Sequence, residues 1–157
     1  MAVTSVSRVA SHAISSLDAQ LLDAQLTGEA ITPRHPDYDR ARGVWNGMID
    51  RRPALIARCA DPADVVACVN FARLRELPLA VRGGGHGVAG HAICDAGLVI
   101  DLSPMKRIEV DPDARTVRAQ GGCTLGELDR SCARAMARTT SAFESSSSST
   151  TPRTCSA

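Results

Sequence analysis

From Leu26 onward, short apolar runs alternate with breaks marked by proline, glycine and aspartate. Pro53-Ala54-Leu55-Ile56-Ala57-Arg58-Cys59 has the length and apolarity of a strand, and the Asp61-Pro62 pair behind it supplies a helix N-cap and a first-turn proline. Val65, Val69 and Ala72, with Val66 and Cys68 beside them, recur at helical spacing, which predicts a helix from Pro62 to Leu77, ended by Pro78. Leu79 to Arg82 and Leu98 to Leu102 read as two further strands. Arg107 to Val110 and Thr116 to Gln120 read as two more, joined by the turn Asp111-Pro112-Asp113. Thr124-Leu125-Gly126-Glu127 is a capping box that opens another helix. Upstream, a helix capped at Ser16 is predicted to place Leu17, Leu21 and Leu22 on one face, with Gly28 after its end. The fold class expected is α+β, a small sheet of parallel and antiparallel strands flanked by helices.

The two ends depart from this pattern. Residues 1–15 carry one arginine, no acid and no apolar run long enough for a secretory h-region or a membrane span, so they read as a disordered leader rather than a transit peptide. Residues 26–128 hold 24 Val, Ile or Leu, whereas residues 129–157 hold none. Ser131 to Ala157 instead has 13 Ser or Thr in 27 residues. Such a stretch has too little apolar surface to offset its ordering entropy, which predicts a body over 16–138 and a disordered Ser/Thr-rich tail over 139–157.

Length and charge narrow the function classes. At 157 residues and 44% hydrophobic content the chain suffices for one core. A net charge of +1 gives no footprint for nucleic acid, and no stretch reads as a membrane anchor. The six cysteines, at 59, 68, 94, 123, 132 and 155, form no tight framework, and Cys59 and Cys68 sit in apolar contexts. Reduced thiols in a cytoplasmic protein are the expectation.

The chemistry concentrates in Arg82-Gly83-Gly84-Gly85-His86-Gly87-Val88-Ala89-Gly90, which follows a predicted strand. Five glycines in the eight residues from Gly83 to Gly90 leave amide N–H groups unshielded and permit positive φ, so several amides can converge on one anion such as a pyrophosphate. A glycine cluster is also an ordinary turn. No lysine follows as in a Walker loop, and no predicted helix opens behind the glycines as in the Rossmann fingerprint. His86, flanked by glycine on both sides, belongs to no apolar face. Arg82 ends the strand where a guanidinium either helps neutralise phosphate or lies solvated on the surface. His86, His91, Cys94 and Asp95 are also metal-ligand types, but their spacing matches no standard zinc pattern, and no metal site is assigned.

The ordered set Trp45-Asn46-Gly47-Met48-Ile49-Asp50-Arg51-Arg52-Pro53, Asp61-Pro62-Ala63-Asp64-Val65, Arg82-Gly83-Gly84-Gly85-His86, Leu98 to Ser103 and Gly121-Gly122-Cys123-Thr124-Leu125-Gly126 resembles a known family. It is similar to the FAD-binding domain of the p-cresol methylhydroxylase and vanillyl-alcohol oxidase superfamily, in particular the berberine-bridge-enzyme-like FAD-linked oxidases. The likeness runs from Leu26 to about Arg130. It implies that the body is the first subdomain of a PCMH-type FAD-binding domain, incomplete at its C-terminal side. It implies FAD as cofactor, with Arg82 to Gly90 wrapping the pyrophosphate and His86 at the position of the family's covalent link to the flavin. The family's second attachment cysteine has no counterpart, because Cys123, Cys132 and Cys155 lack its surroundings.

Three functions from different classes follow. The first, implied by the resemblance, is an FAD-dependent oxidoreductase in which flavin accepts a hydride from an alcohol, sugar or similar small-molecule substrate. Catalytic residues for that step are not identified in this chain, which on this reading is an N-terminal fragment. The second is a flavin-binding fragment without turnover, and the third a small metal-binding protein.

Overall fold

The computed structural model describes residues 14–147, and their side chains as far as residue 137. The chain forms two compact units, residues 1–105 and 106–157. Most of the predicted leader, and residues 148–157 of the predicted tail, lie outside the described residues.

The first unit is built on a mixed four-stranded sheet. Helix α1 (Ser16–Asp23) starts at Ser15, whose hydroxyl accepts from the Asp18 amide while the Asp18 carboxylate accepts from the Ser15 amide, a capping box one residue before the predicted cap. Its buried residues are Ala19 and Leu22; Leu17 and Leu21, expected on the same face, are exposed. The sheet lies against the 19/22 side of the helix, so a face drawn through 17 and 21 is rotated away from it. A short strand β1 (Glu29–Ile31) and a one-turn helix α2 (Tyr38–Ala41) follow, neither of them predicted, because each is shorter than the window over which periodicity becomes readable.

Strands β2 (Leu55–Arg58), β3 (Leu79–Arg82) and β4 (Leu98–Asp101) coincide with the predicted apolar runs. The sheet order is β1-β2-β4-β3, with β1 antiparallel to β2 and the other three strands parallel. The last register pair of each of the two parallel ladders aligns Arg58, Asp101 and Arg82 side by side at the carboxyl edge.

Helix α3 (Pro62–Leu74) connects β2 to β3 and opens as predicted, with the Asp61 carboxylate accepting from the amides of Ala63 and Asp64. It stops three residues before Leu77, where Glu76 takes a positive φ of 51°. Its buried residues are Asp64, Cys68, Phe71 and Ala72, while Val66 and Val69 of the predicted stripe are exposed. The inward line runs through 64, 68, 71 and 72, so Cys68 and Ala72 of the predicted stripe face the core, Val65 packs at its margin, and the outward side falls on Val66 and Val69.

Two apolar clusters cover the two sheet faces, as the period of two along each strand requires. Leu55, Ala57, Leu98 and Ile100 pack with Leu22, Cys68 and Phe71 on one side. Ile56, Ala80 and Val99 pack with Ile31, Tyr38, Ala41 and Ile93 on the other. Leu55, Ile56, Leu98, Val99 and Ile100 are fully buried, each contributing about 1.5–3 kcal/mol of transfer free energy.

The second unit consists of a hairpin and a helix. Strands β5 (Ile108–Asp111) and β6 (Thr116–Ala119) pair antiparallel, and the Asp111 carboxylate accepts from the Ala114 amide inside the predicted turn. Helix α4 (Leu125–Ser147) begins at the predicted capping box, with the Thr124 amide donating to Glu127 Oε2 at 2.7 Å. Its backbone continues through residues 139–147, where the composition predicts disorder. Ala133, Ala135, Ala137 and Ala142 favour helix propagation regardless of whether a face is buried, and the lack of Val, Ile and Leu bears only on burial.

Candidate functional site

The three parallel strands deliver their carboxyl ends to one edge, the usual location for ligands in such sheets, and the glycine loop leaves β3 there. Gly85 and Gly90 each adopt φ of +70°, a conformation open to glycine. At Gly90 a Cβ would also stand 2.9 Å from Ile49 Cγ2, so the loop closes against the segment before β2. Between these two pivots the backbone is open: at Gly87 no atom lies within 4 Å of a Cβ position.

A second segment splints the loop. The Trp45 amide donates to Gly85 O at 3.1 Å, and Asn46 Nδ2 donates to Val88 O at 2.9 Å. Asn46 is itself held by the Met48 amide, which donates to its Oδ1. The sequence shows Trp45 and Asn46 only as members of a motif. The available signal is an aromatic followed by Asn-Gly, a turn with a side chain able to bond neighbouring backbone.

Arg82 lies under the loop rather than facing its open side. Its aliphatic stem runs 3.6 Å from the Cβ position of Gly85, and its guanidinium donates to Asp101 Oδ2 at 2.6 Å, to Gly43 O at 3.3 Å and to Ala41 O. Of the two expectations for Arg82, the solvated surface arginine does not hold: the buried Asp101 carboxylate and the carbonyls at the end of α2 draw the guanidinium inward. The side chain positions the loop from beneath.

His86 stands exposed on the loop, its ring centroid 6.3 Å from that of Trp45 with the planes 37° apart. Gly83 is half-buried, Gly84, Gly87, Val88 and Ala89 are exposed, and Gly85 and Gly90 are buried. Among the described residues, the amides of Gly84, Gly85, His86, Gly87, Val88 and Ala89 donate to no acceptor. Six successive uncommitted N–H groups, five of them on exposed residues, form a donor set for a polyanion.

Of the other three ligand types, Asp95 and Cys94 are used locally. Asp95 accepts from the Arg52 amide at 2.8 Å, the Cys94 thiol lies against the carbonyls of Pro78 and Leu98, and His91 is exposed. Burial pushes the Cys94 thiol above its ordinary pKa. Among the described residues no group of three His, Cys, Asp or Glu side chains is placed to hold a metal ion.

Residues 53–151 match the family described as FAD binding domain. The chain belongs to that family. This FAD-binding domain is 37% identical over 106 residues to an FAD-linked oxidoreductase of Bacillus subtilis, a match covering 68% of this chain and 24% of that protein. It superposes on the crystal structure of 6-hydroxy-D-nicotine oxidase from Arthrobacter nicotinovorans with a TM-score of 0.68 at 37% identity, over 69% of this chain and 24% of that one. The berberine-bridge-enzyme-like protein 28 of Arabidopsis thaliana shares the fold, with a TM-score of 0.63 at 22% identity, over 76% of this chain and 25% of that one. The chain thus spans about a quarter of the length of the relatives it matches. FAD is the cofactor of the family, and the loop fits it: the free amides of Gly84 to Ala89 suit a pyrophosphate, and the open space at Gly87 admits one. No helix among the described residues is long and apolar enough to cross a membrane.

Proposed function

We propose that this chain supplies the pyrophosphate-anchoring part of an FAD-linked oxidoreductase acting on a small-molecule substrate, with His86 as the covalent attachment point of the flavin. The observation that carries the reading is the row of six uncommitted amides from Gly84 to Ala89, with an exposed imidazole within it. Bound FAD supplies the hydride-accepting centre. The chain's own part is to bind and orient. The loop amides hold the pyrophosphate, Asn46 and the Trp45 amide fix the loop's shape, and the Arg82–Asp101 pair fixes its stem. The cofactor and the relatives support an FAD-linked oxidoreduction; hydride acceptance from an alcohol, sugar or similar C–H bond is the form of it proposed here, and this chain contributes cofactor-holding residues to it.

The test is to express the chain with FAD, precipitate it in acid and measure the yellow flavin that stays with the polypeptide. The expected result is retained flavin in the wild type and none in His86→Ala, with His86→Ala still binding FAD reversibly. Flavin released by acid from the wild type would overturn the attachment, and no FAD binding at all would overturn the whole reading.

A further inference from the structure

We propose that Trp45 is a flavin-contact residue, its indole packing against the isoalloxazine ring of the FAD held by the glycine loop; the proposal rests on the reading of that loop just given. Trp45 is 65% exposed, an unusual state for the largest apolar side chain, and its neighbours across and along the splint, Val88 and Met48, are 69% and 92% exposed. Three bare apolar side chains therefore belong to the two segments that frame the amide row. That combination suits a ligand with an anionic link attached to a flat heteroaromatic ring. A pyrophosphate satisfies the amides, and the ring covers the apolar surface.

The backbone makes the placement firm. The Trp45 amide is bonded to Gly85 O and the next side chain, Asn46, to Val88 O, so the backbone that carries the indole cannot slide along the loop without breaking both bonds. His86, the proposed attachment point, has its ring centroid 6.3 Å from that of the indole. A ring joined to the imidazole enters the reach of the indole face, and offset or tilted stacking at such separations is the favoured geometry of aromatic pairs.

The composition provides a clean reporter. The whole chain contains one Trp and one Tyr, the side chains that donate electrons most readily to an excited flavin at contact, and with His86 present in every variant compared, a difference between them reports these two alone. Tyr38 is buried in the core with its hydroxyl donating to Pro53 O. Time-resolved flavin emission of the FAD-loaded full chain is compared for wild type, Trp45→Phe and Tyr38→Phe. Phenylalanine keeps the ring and the fold but does not quench. The expected result is a dominant short lifetime in the wild type and in Tyr38→Phe, lengthened severalfold in Trp45→Phe. Equal lifetimes in wild type and Trp45→Phe, with flavin bound in both, would overturn the contact and leave the flavin reading standing. A chain that binds no FAD would overturn both.

Discussion

Arg82 and Asp101 close the carboxyl ends of β3 and β4 with a buried ion pair, Nη2 2.6 Å from Oδ2, between residues that are register partners in the parallel ladder. Asp101 also accepts from the Ser103 amide at 3.0 Å, and Arg82 reaches the carbonyls of Ala41 and Gly43, so one pair ties the glycine loop, the turn after β4 and the end of α2 to one point. Replacing Arg82 with Ala removes the hydrogen-bonded partner of a buried carboxylate and leaves it only Arg58, whose Nε stands 3.8 Å from Oδ2, so a loss toward the low end of about 3–5 kcal/mol in urea unfolding is expected. Arg82→Lys should recover little of it, because an ammonium has no planar fork to serve the carboxylate and two carbonyls together. Wild-type stability in Arg82→Lys would sink this account.

Asn46 acts on the loop and on its own turn. Its partly exposed side chain donates to Val88 O and accepts from the Met48 amide, and because both bonds lie at the surface Asn46→Ala should change global stability by only about 1 kcal/mol. The local effect should be larger. The Gly90 amide, which donates to Gly87 O at 3.1 Å, reports loop closure, and its hydrogen exchange should quicken in Asn46→Ala while amides of β2 and β4 stay protected. Unchanged exchange at Gly90 would show that the splint is not held by this side chain.

How far the sequence reveals the fold depends on where the controlling interaction lies. The runs at Leu55 and Leu98 announce their strands because burial on both faces demands continuous apolar residues, and the run at Leu79 is legible although β3 is an edge strand in which Leu79 and Val81 stay exposed. The capping boxes at Ser15 and Thr124 are local and equally legible, the first to within one residue. What escapes is long-range. Nothing adjacent to Arg82 tells that Asp101 will draw it inward, and Asn46 meets Val88 only because the chain returns after 42 residues. The loop itself was readable as a glycine cluster, whereas its splint and its buried stem were not.

Asp64 is the clearest instance of a residue whose role is fixed at a distance. Its buried carboxylate accepts from the amides of Thr27 at 2.8 Å, Gly28 at 3.0 Å and Ala60 at 2.8 Å, which fastens the entry to β1 onto the start of α3. Burial pushes its pKa up, but these backbone donors outweigh it and hold the carboxyl below its ordinary value. Asp64→Ala strands three donors and should cost about 2–4 kcal/mol, with Asp64→Asn losing less because one acceptor remains. Since the folded pKa is depressed, the stabilisation is complete above the ordinary value of about 3.9 and falls away as pH drops through the lower folded value. An Asp64→Ala chain with the wild-type midpoint in urea would contradict this.

In the second unit the group to titrate is Glu127. Lys106 Nζ lies 2.8 and 2.9 Å from its two carboxylate oxygens, and the Thr124 amide and hydroxyl donate at 2.7 and 2.9 Å. The Lys106 hydrogen bonds first, then those from Thr124, pull the carboxyl down to about 2. A depressed folded pKa means that the charged form stabilises the fold: the contribution is whole above about pH 4.3, declines as acid is added, and is gone once the carboxylate protonates near pH 2. Lys106→Met removes the largest cause, so the carboxyl midpoint, followed by its carbon chemical shift, should move up toward the ordinary value. The first turn of α4 should then fray at a higher pH than in the wild type, seen as faster exchange of the Glu127 and Leu128 amides that donate to Thr124 O. A midpoint left near 2 in Lys106→Met would assign the shift to the Thr124 cap alone.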